Sequence, residues 1–159
     1  MQYQLPLNDL KFLLFDVLNV DGLAELELYA DASPDIIVAI LEEMGRFAAD
    51  VIQPTNRTGD EQGCSYDAQS HDVTTPDGFR DAYRQFAEGG WTALDAPPEF
   101  GGQGLPHLLK FIVDEIICST NLSFGMYPGL THGAISAIHA HGSQDLQDTY
   151  LQKLISGQF

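Results

Sequence analysis

SPDIIVAILEEMGRFAADVIQ, residues 33 to 53, carries the clearest helical signal in the chain. Ser33 suits an N-cap, Pro34 the first helical position and Asp35 the positive end of a helix dipole. Ile36, Ile37, Ile40, Leu41, Met44, Phe47, Ala48, Val51 and Ile52 recur at helical spacing and form a broad apolar face. Glu42, Glu43, Arg46 and Asp50 fall off that stripe and read as a solvated face. Pro54 is expected to end the helix, because its ring disfavours the αR conformation at Gln53.

The same period extends in both directions. Residues 9 to 30 read as two short helices broken near Asn19 to Gly22, with Phe12, Phe15, Leu18, Leu23, Leu26 and Ala30 as their apolar face. Residues 55 to 75 are polar and rich in turn formers, and predict a surface loop: a binding lid, or an ornament covered by another part of a larger protein. Phe79, Tyr83 and Phe86 share one face of a helix that Gly89-Gly90 end. TALDAPPEFGGQGL, residues 92 to 105, is an ordered or semi-ordered loop. A helix then spans about 106 to 119 with Leu108, Phe111, Ile112 and Ile116 apolar. Another covers the Gly129 to His141 region, starting as early as Leu122 with a break at Pro128. The last, 144 to 155, is capped by Ser143 and ended by Gly157, with Leu146, Tyr150, Leu151 and Leu154 on one face. No alternating apolar run argues for a sheet. The expected fold is an all-α bundle of about six helices.

Composition sets the outer limits. The 159 residues fit one domain, 44% hydrophobic, with a mean hydropathy of -0.09 that argues against global disorder. Seven Lys and Arg against 23 Asp and Glu leave a net charge of -16, which repels nucleic acid and anionic membrane surfaces. Cys64 and Cys118 form no disulfide framework, and no signal peptide or membrane span is evident. The expectation is a soluble, acidic domain of the cytoplasm, with neither nucleic acid nor membrane as partner.

Candidate chemistry is thin. His132, His139 and His141 do not have the i,i+3 or i,i+4 spacing of a helical metal pair, and no nearby carboxylate or Cys completes a shell, so no metal is expected. GGQG, residues 101 to 104, matches no phosphate loop; its glycines permit a tight turn or a close backbone approach. Ser136 lies mid-helix among small residues and reads as a packing residue. The adjacent acids Glu42-Glu43 and Asp114-Glu115 diverge by about 100° around a helix and cannot bracket a substrate. Composition and spacing assemble no catalytic set.

Two stretches add a resemblance. GWTALDAPPEFGGQGLP (90 to 106) carries Gly90-Trp91, Pro98 and Phe100-Gly101-Gly102-x-Gly104-Leu105-Pro106. NLSFGMYPGLTHGAISAIHAHGSQDLQDTYLQKLISGQF (121 to 159) carries His141-Gly142-Ser143, Tyr150-Leu151 and Ser156-Gly157. Together they resemble the N-terminal α-helical domain of flavin-dependent acyl-CoA dehydrogenases. The opening YQLPLNDLKFLLFDVL is similar to the N-terminal extension of a larger branch that includes methylthiopropanoyl-CoA dehydrogenases. The resemblance divides the chain into an extension, 1 to 32, and the helical domain proper, 33 to 159.

That resemblance implies a parent enzyme that dehydrogenates an acyl-CoA thioester between its α and β carbons, with FAD as hydride acceptor and a glutamate as base. By the resemblance, the β-domain and second helical domain that hold flavin and glutamate are expected to be missing from these 159 residues. The chain is therefore expected to be an inactive excised or truncated domain, with no catalytic or cofactor-binding residue of its own and no FAD bound in isolation. An electron-transfer flavoprotein and homo-oligomeric assembly are implied for the parent. The contribution implied here is inter-domain packing and a wall of the acyl pocket in the Ser123 to Gly133 region, with Phe124, Met126, Tyr127 and Leu130 as wall residues; ordinary core packing is the competing reading of the same four. A standalone acidic helical module that binds another protein is the alternative reading of the whole chain.

Overall fold

The computed structural model describes residues 2–159. Its helices in chain order are α1 (Leu7–Lys11), α2 (Pro34–Phe47), α3 (Gln53–Gln62), α4 (Phe79–Glu88), α5 (His107–His141) and α6 (Gln144–Ile155). A two-residue antiparallel hairpin, β1 (Ser65–Tyr66) with β2 (Val73–Thr74), is the sheet content of the described residues, and pairs Ser65 with Thr74 and Tyr66 with Val73. The fold class is all-α, as the periodicity indicates. No helix among the described residues is long and apolar enough to cross a membrane.

Ser33 caps α2, its Oγ accepting the Ile36 amide at 3.4 Å. Ile37, Leu41 and Met44 face inward from α2, and Ala48 and Ile52 continue the stripe beyond it. The helix does not stop at Pro54. Ala48–Ile52 forms a π-helical turn, in which the Gln53 amide reaches back to the Ala48 carbonyl, and α3 starts with Pro54 in its first turn. Widening the ladder by one residue relieves the clash between a proline ring and the preceding turn, so Gln53 stays αR. Helix therefore takes up residues 55 to 62 of the expected loop, and the hairpin orders much of the remainder.

α5 departs from expectation in the same way. Pro128 lies inside it, buried and without a break, whereas the break falls at Asn121, in the gap expected between 119 and Leu122, where φ of -157° and ψ of 97° are not helical. Asn121 restarts the helix as a cap: its Oδ1 accepts the Phe124 amide at 3.1 Å, while its Nδ2 donates to Thr55 Oγ1 at 2.9 Å. This buried polar pair locks the bend of α5 against α3.

One apolar cluster joins Leu10, Leu14 and Val20 to Ile37, Leu41 and Met44 of α2, Phe79 and Phe86 of α4, and Leu109, Ile112, Val113, Ile116, Ile117 and Phe124 of α5. A smaller one joins Ala93 and Ala96 to Ile135, Leu151 and Ile155. Several residues assigned inward by period lie outside. Phe12, Leu18 and Leu26 are exposed because Phe12–Val17 is π-helical and Val20–Glu25 and Glu27–Tyr29 are 3-10 turns, which rotate side chains away from a 3.6-residue register. Ile36, Phe111, Leu146 and Tyr150 are exposed beside inward neighbours, at the edges of stripes wider than the core covers.

Candidate functional site

The second half of α5 presents an apolar face with little protein over it. Met126, Tyr127 and Leu130 remain 62%, 41% and 77% exposed. They line one side of a groove of about 630 Å³, with Ser123 and Thr131. Gly59, Gly63, Cys64, Pro76 and Phe79, from the end of α3 and the segment leading into α4, form the other side. A Cβ on Gly59 would stand 2.8 Å from the Phe79 ring, so glycine lets α3 close on α4 at the groove floor. No Lys or Arg lines the groove.

Phe124 stands behind this wall. It is fully buried, with its ring 5.7 Å from Phe86 and 6.4 Å from Phe79. Tyr127 meets Phe79 edge-on at 6.2 Å, and Phe79, Tyr127 and Thr131 also line a second hollow of about 500 Å³ with Val73, Tyr83, Arg80 and Phe159. Burial raises the Tyr127 hydroxyl above its usual pKa, and nearby Cys64 adds to the rise. The phenol is thus a neutral, polar point on an otherwise apolar surface. Periodicity alone could not find Cys64, Gly59 or Pro76, since the sequence between α3 and α4 has no regular pattern to place them.

The GGQG segment folds back on the residues before it. The Gln103 amide bonds the Ala93 carbonyl at 2.8 Å, Gly104 bonds Ala96 at 3.0 Å, and Leu105 bonds Leu94 at 3.1 Å. Gly101 and Gly104 take left-handed φ values of 89° and 65°. The loop holds Asp95 between buried Leu94 and Ala96, its side chain only 7% exposed. His107 Nδ1 and His132 Nε2 both meet Asp95 Oδ2, the latter at 3.0 Å, and the two imidazoles stack at 5.3 Å. Burial pushes the Asp95 pKa up, but the hydrogen bonds from His132 and His107 and their charges outweigh it and hold the carboxyl below its ordinary value.

Of the three late histidines, only His132 joins this cluster. His139 lies 3.9 Å from Glu99 Oε1 and edge-on to Phe100, and His141 is exposed beyond it. The carboxylate that their spacing lacks comes from Asp95, far away in sequence, and the second imidazole comes from the start of α5. Asp114 pairs with buried Lys110, while Glu115 and the Glu42-Glu43 pair are exposed. Ser136 is exposed and mid-helix.

The family model described as "Acyl-CoA dehydrogenase, N-terminal domain" matches residues 37–158. The chain is 37% identical over 159 residues to the 3-methylmercaptopropionyl-CoA dehydrogenase of Ruegeria pomeroyi, covering all of this chain and 27% of that protein. It is 28% identical over 165 residues to a butyryl-CoA dehydrogenase of Syntrophomonas wolfei, covering 99% of this chain and 26% of the relative. A shorter similarity, 32% over 85 residues, covers 51% of this chain and 19% of the mitochondrial isovaleryl-CoA dehydrogenase of Bos taurus. The chain thus spans about a quarter of the length of the relatives it matches in full.

Proposed function

We propose a function from one premise: the chain belongs to the acyl-CoA dehydrogenase family, as its N-terminal helical domain. In the whole protein it forms one wall of the acyl pocket of an enzyme that dehydrogenates an acyl-CoA thioester. The observation that carries this reading is the groove along Met126, Tyr127 and Leu130, apolar, open to solvent and without a cation.

Such a surface suits the hydrocarbon end of a thioester. Burying an acyl methylene there is worth about 0.8 kcal/mol. Met126 adapts to irregular chain shapes, Leu130 supplies branched apolar area, and the neutral Tyr127 hydroxyl bounds the groove. Together they exclude water from the chain end and fix the direction in which the reacting carbons point.

The groove does not fit a flavin. A pyrophosphate needs cationic side chains or a glycine-rich helix N-terminus, and the groove lining offers neither. FAD is thus assigned to a site other than this groove, and the reading has the catalytic base supplied by another part of the whole protein, with the domain alone inactive and free of flavin. When bound, FAD would supply the hydride acceptor for oxidation of the acyl group.

Kinetics of the whole enzyme over a series of acyl-CoA lengths test the reading. Leu130→Trp, at an exposed position, should lower kcat/KM by about tenfold for acyl groups that reach the wall and spare the shortest, since about 1.4 kcal/mol corresponds to that factor. A length profile unchanged by both Leu130→Trp and Met126→Trp would remove the groove from the substrate path.

A further inference from the structure

Away from the groove, Asp95, His107 and His132 come from three separate segments: the glycine-proline loop, the start of α5, and α5 beyond its bend. The facing atoms, Oδ2, Nδ1 and Nε2, lie within 4.8 Å of one another. We propose that these three side chains bind one divalent transition-metal ion of the zinc class, with a water completing the shell.

Two imidazoles and a carboxylate form a donor set typical of zinc, and tetrahedral coordination at about 2.0–2.2 Å would separate the donors by roughly 3.3–3.5 Å. Both imidazole nitrogens already touch Asp95 Oδ2 at hydrogen-bond distance, His132 at 3.0 Å, and would move slightly outward from it, while the two ring nitrogens, at most 4.8 Å apart, would close on each other by up to about 1 Å. His107 is the member that adjusts, because its side chain is 54% exposed and held by Asp95, His132 and Phe111 on one side only, whereas Asp95 and His132 are more enclosed. The loop bonds from Gln103, Gly104 and Leu105 hold the backbone on both sides of Asp95, so the carboxylate is oriented beforehand. Each neutral imidazole binds through the nitrogen that faces Asp95 and carries its proton on the other ring nitrogen. The net charge of -16 raises the local concentration of cations. The exposed edge of His107 leaves the fourth position open to water.

The consequence is structural. His107 precedes the Asn121 bend and His132 follows it, so the ion would tie both halves of α5 to one loop. It would thereby hold the helix segment that carries the groove wall.

A titration of the full, tag-free chain with Co2+, followed by visible absorption and far-UV circular dichroism, decides the matter. The expected result is one Co2+ per chain with the intense d–d bands of a four- or five-coordinate site, displaced by one equivalent of Zn2+. His107→Gln and Asp95→Asn should each weaken binding by at least about tenfold, and His139→Gln should leave it unchanged. His107 is half exposed, so its variant keeps the helical signal and stays informative should the Asp95 variant unfold. Only the weak spectrum of aqueous Co2+, or bands that survive both His107→Gln and His132→Gln, would leave the cluster an ion pair and overturn the proposal.

Discussion

A Cβ on Gly102 would stand 1.9 Å from the Ala96 carbonyl oxygen and 2.2 Å from its carbon. Backbone cannot yield as the end of a side chain can, so Gly102→Ala must open the loop that holds Asp95. We expect it to destabilise the chain by about 2 kcal/mol or more, read as a lower urea midpoint with unchanged slope. Gly101, by contrast, has nothing within 4 Å of a Cβ and serves by its positive φ. Both roles were legible in FGGQG, though not which glycine plays which. Asp67 offers a pH test at the same scale. Its carboxylate accepts the Gln69 amide at 2.7 Å and the Ser70 amide at 3.2 Å, and these bonds lower its pKa. A depressed carboxyl contributes order above its unfolded pKa and loses it as pH falls through the lower folded value. The Gln69 and Ser70 amide resonances should therefore titrate together in acid, below the ordinary aspartate range, and Asp67→Asn should abolish that transition.

At the scale of elements, prolines were the weak point of the sequence reading. Pro54 and Pro128 both lie within helical runs, the first made tolerable by the π-helical turn before it. Local preference is a statement about an isolated turn, and here tertiary packing of Ala48, Ile52 and Pro128 overrides it. The bend at Asn121 falls in the gap left between a helix ending near 119 and one starting as early as Leu122, but the pairing that holds it was hidden, because the partner Thr55 is 66 residues away. The caps at Ser33 and Ser143 were legible because they act on amides three residues on. Removing the Asn121 side chain leaves the Phe124 amide and Thr55 hydroxyl to find other partners. Asn121→Ala should cost about 1–3 kcal/mol in chemical denaturation. Combined with Thr55→Val, the total should fall short of the sum, because both changes break the same bond.

Across the whole molecule, the apolar residues that the core does not cover gather meaning from the chain's share of its family. Leu122, Met126 and Leu130 are exposed on a domain that spans 27% of its R. pomeroyi relative. Periodicity marked the helix and the resemblance proposed the 123 to 133 stretch as a pocket wall, but neither separated Phe124, which packs inward, from the exposed Met126, Tyr127 and Leu130. That distinction needs the position of α4, whose Phe79 and Phe86 claim Phe124 for the core. The polar loop expected over 55 to 75 likewise shows no pattern in sequence, yet it brings Gly59 and Cys64 to the groove, beside Pro76 just past its end. The chain has three methionines, and Met44 is fully buried while Met126 lines the groove. A methyl-labelled sample of the whole protein, with Met126 assigned by Met126→Leu, therefore places a probe at the wall. Bound to an unreactive acyl-CoA thioether, the Met126 methyl should give a nuclear Overhauser contact to the terminal methyl of the acyl chain. Saturation with ligand and no such contact, with the chain end meeting other side chains instead, would contradict the assignment of this groove to the acyl pocket.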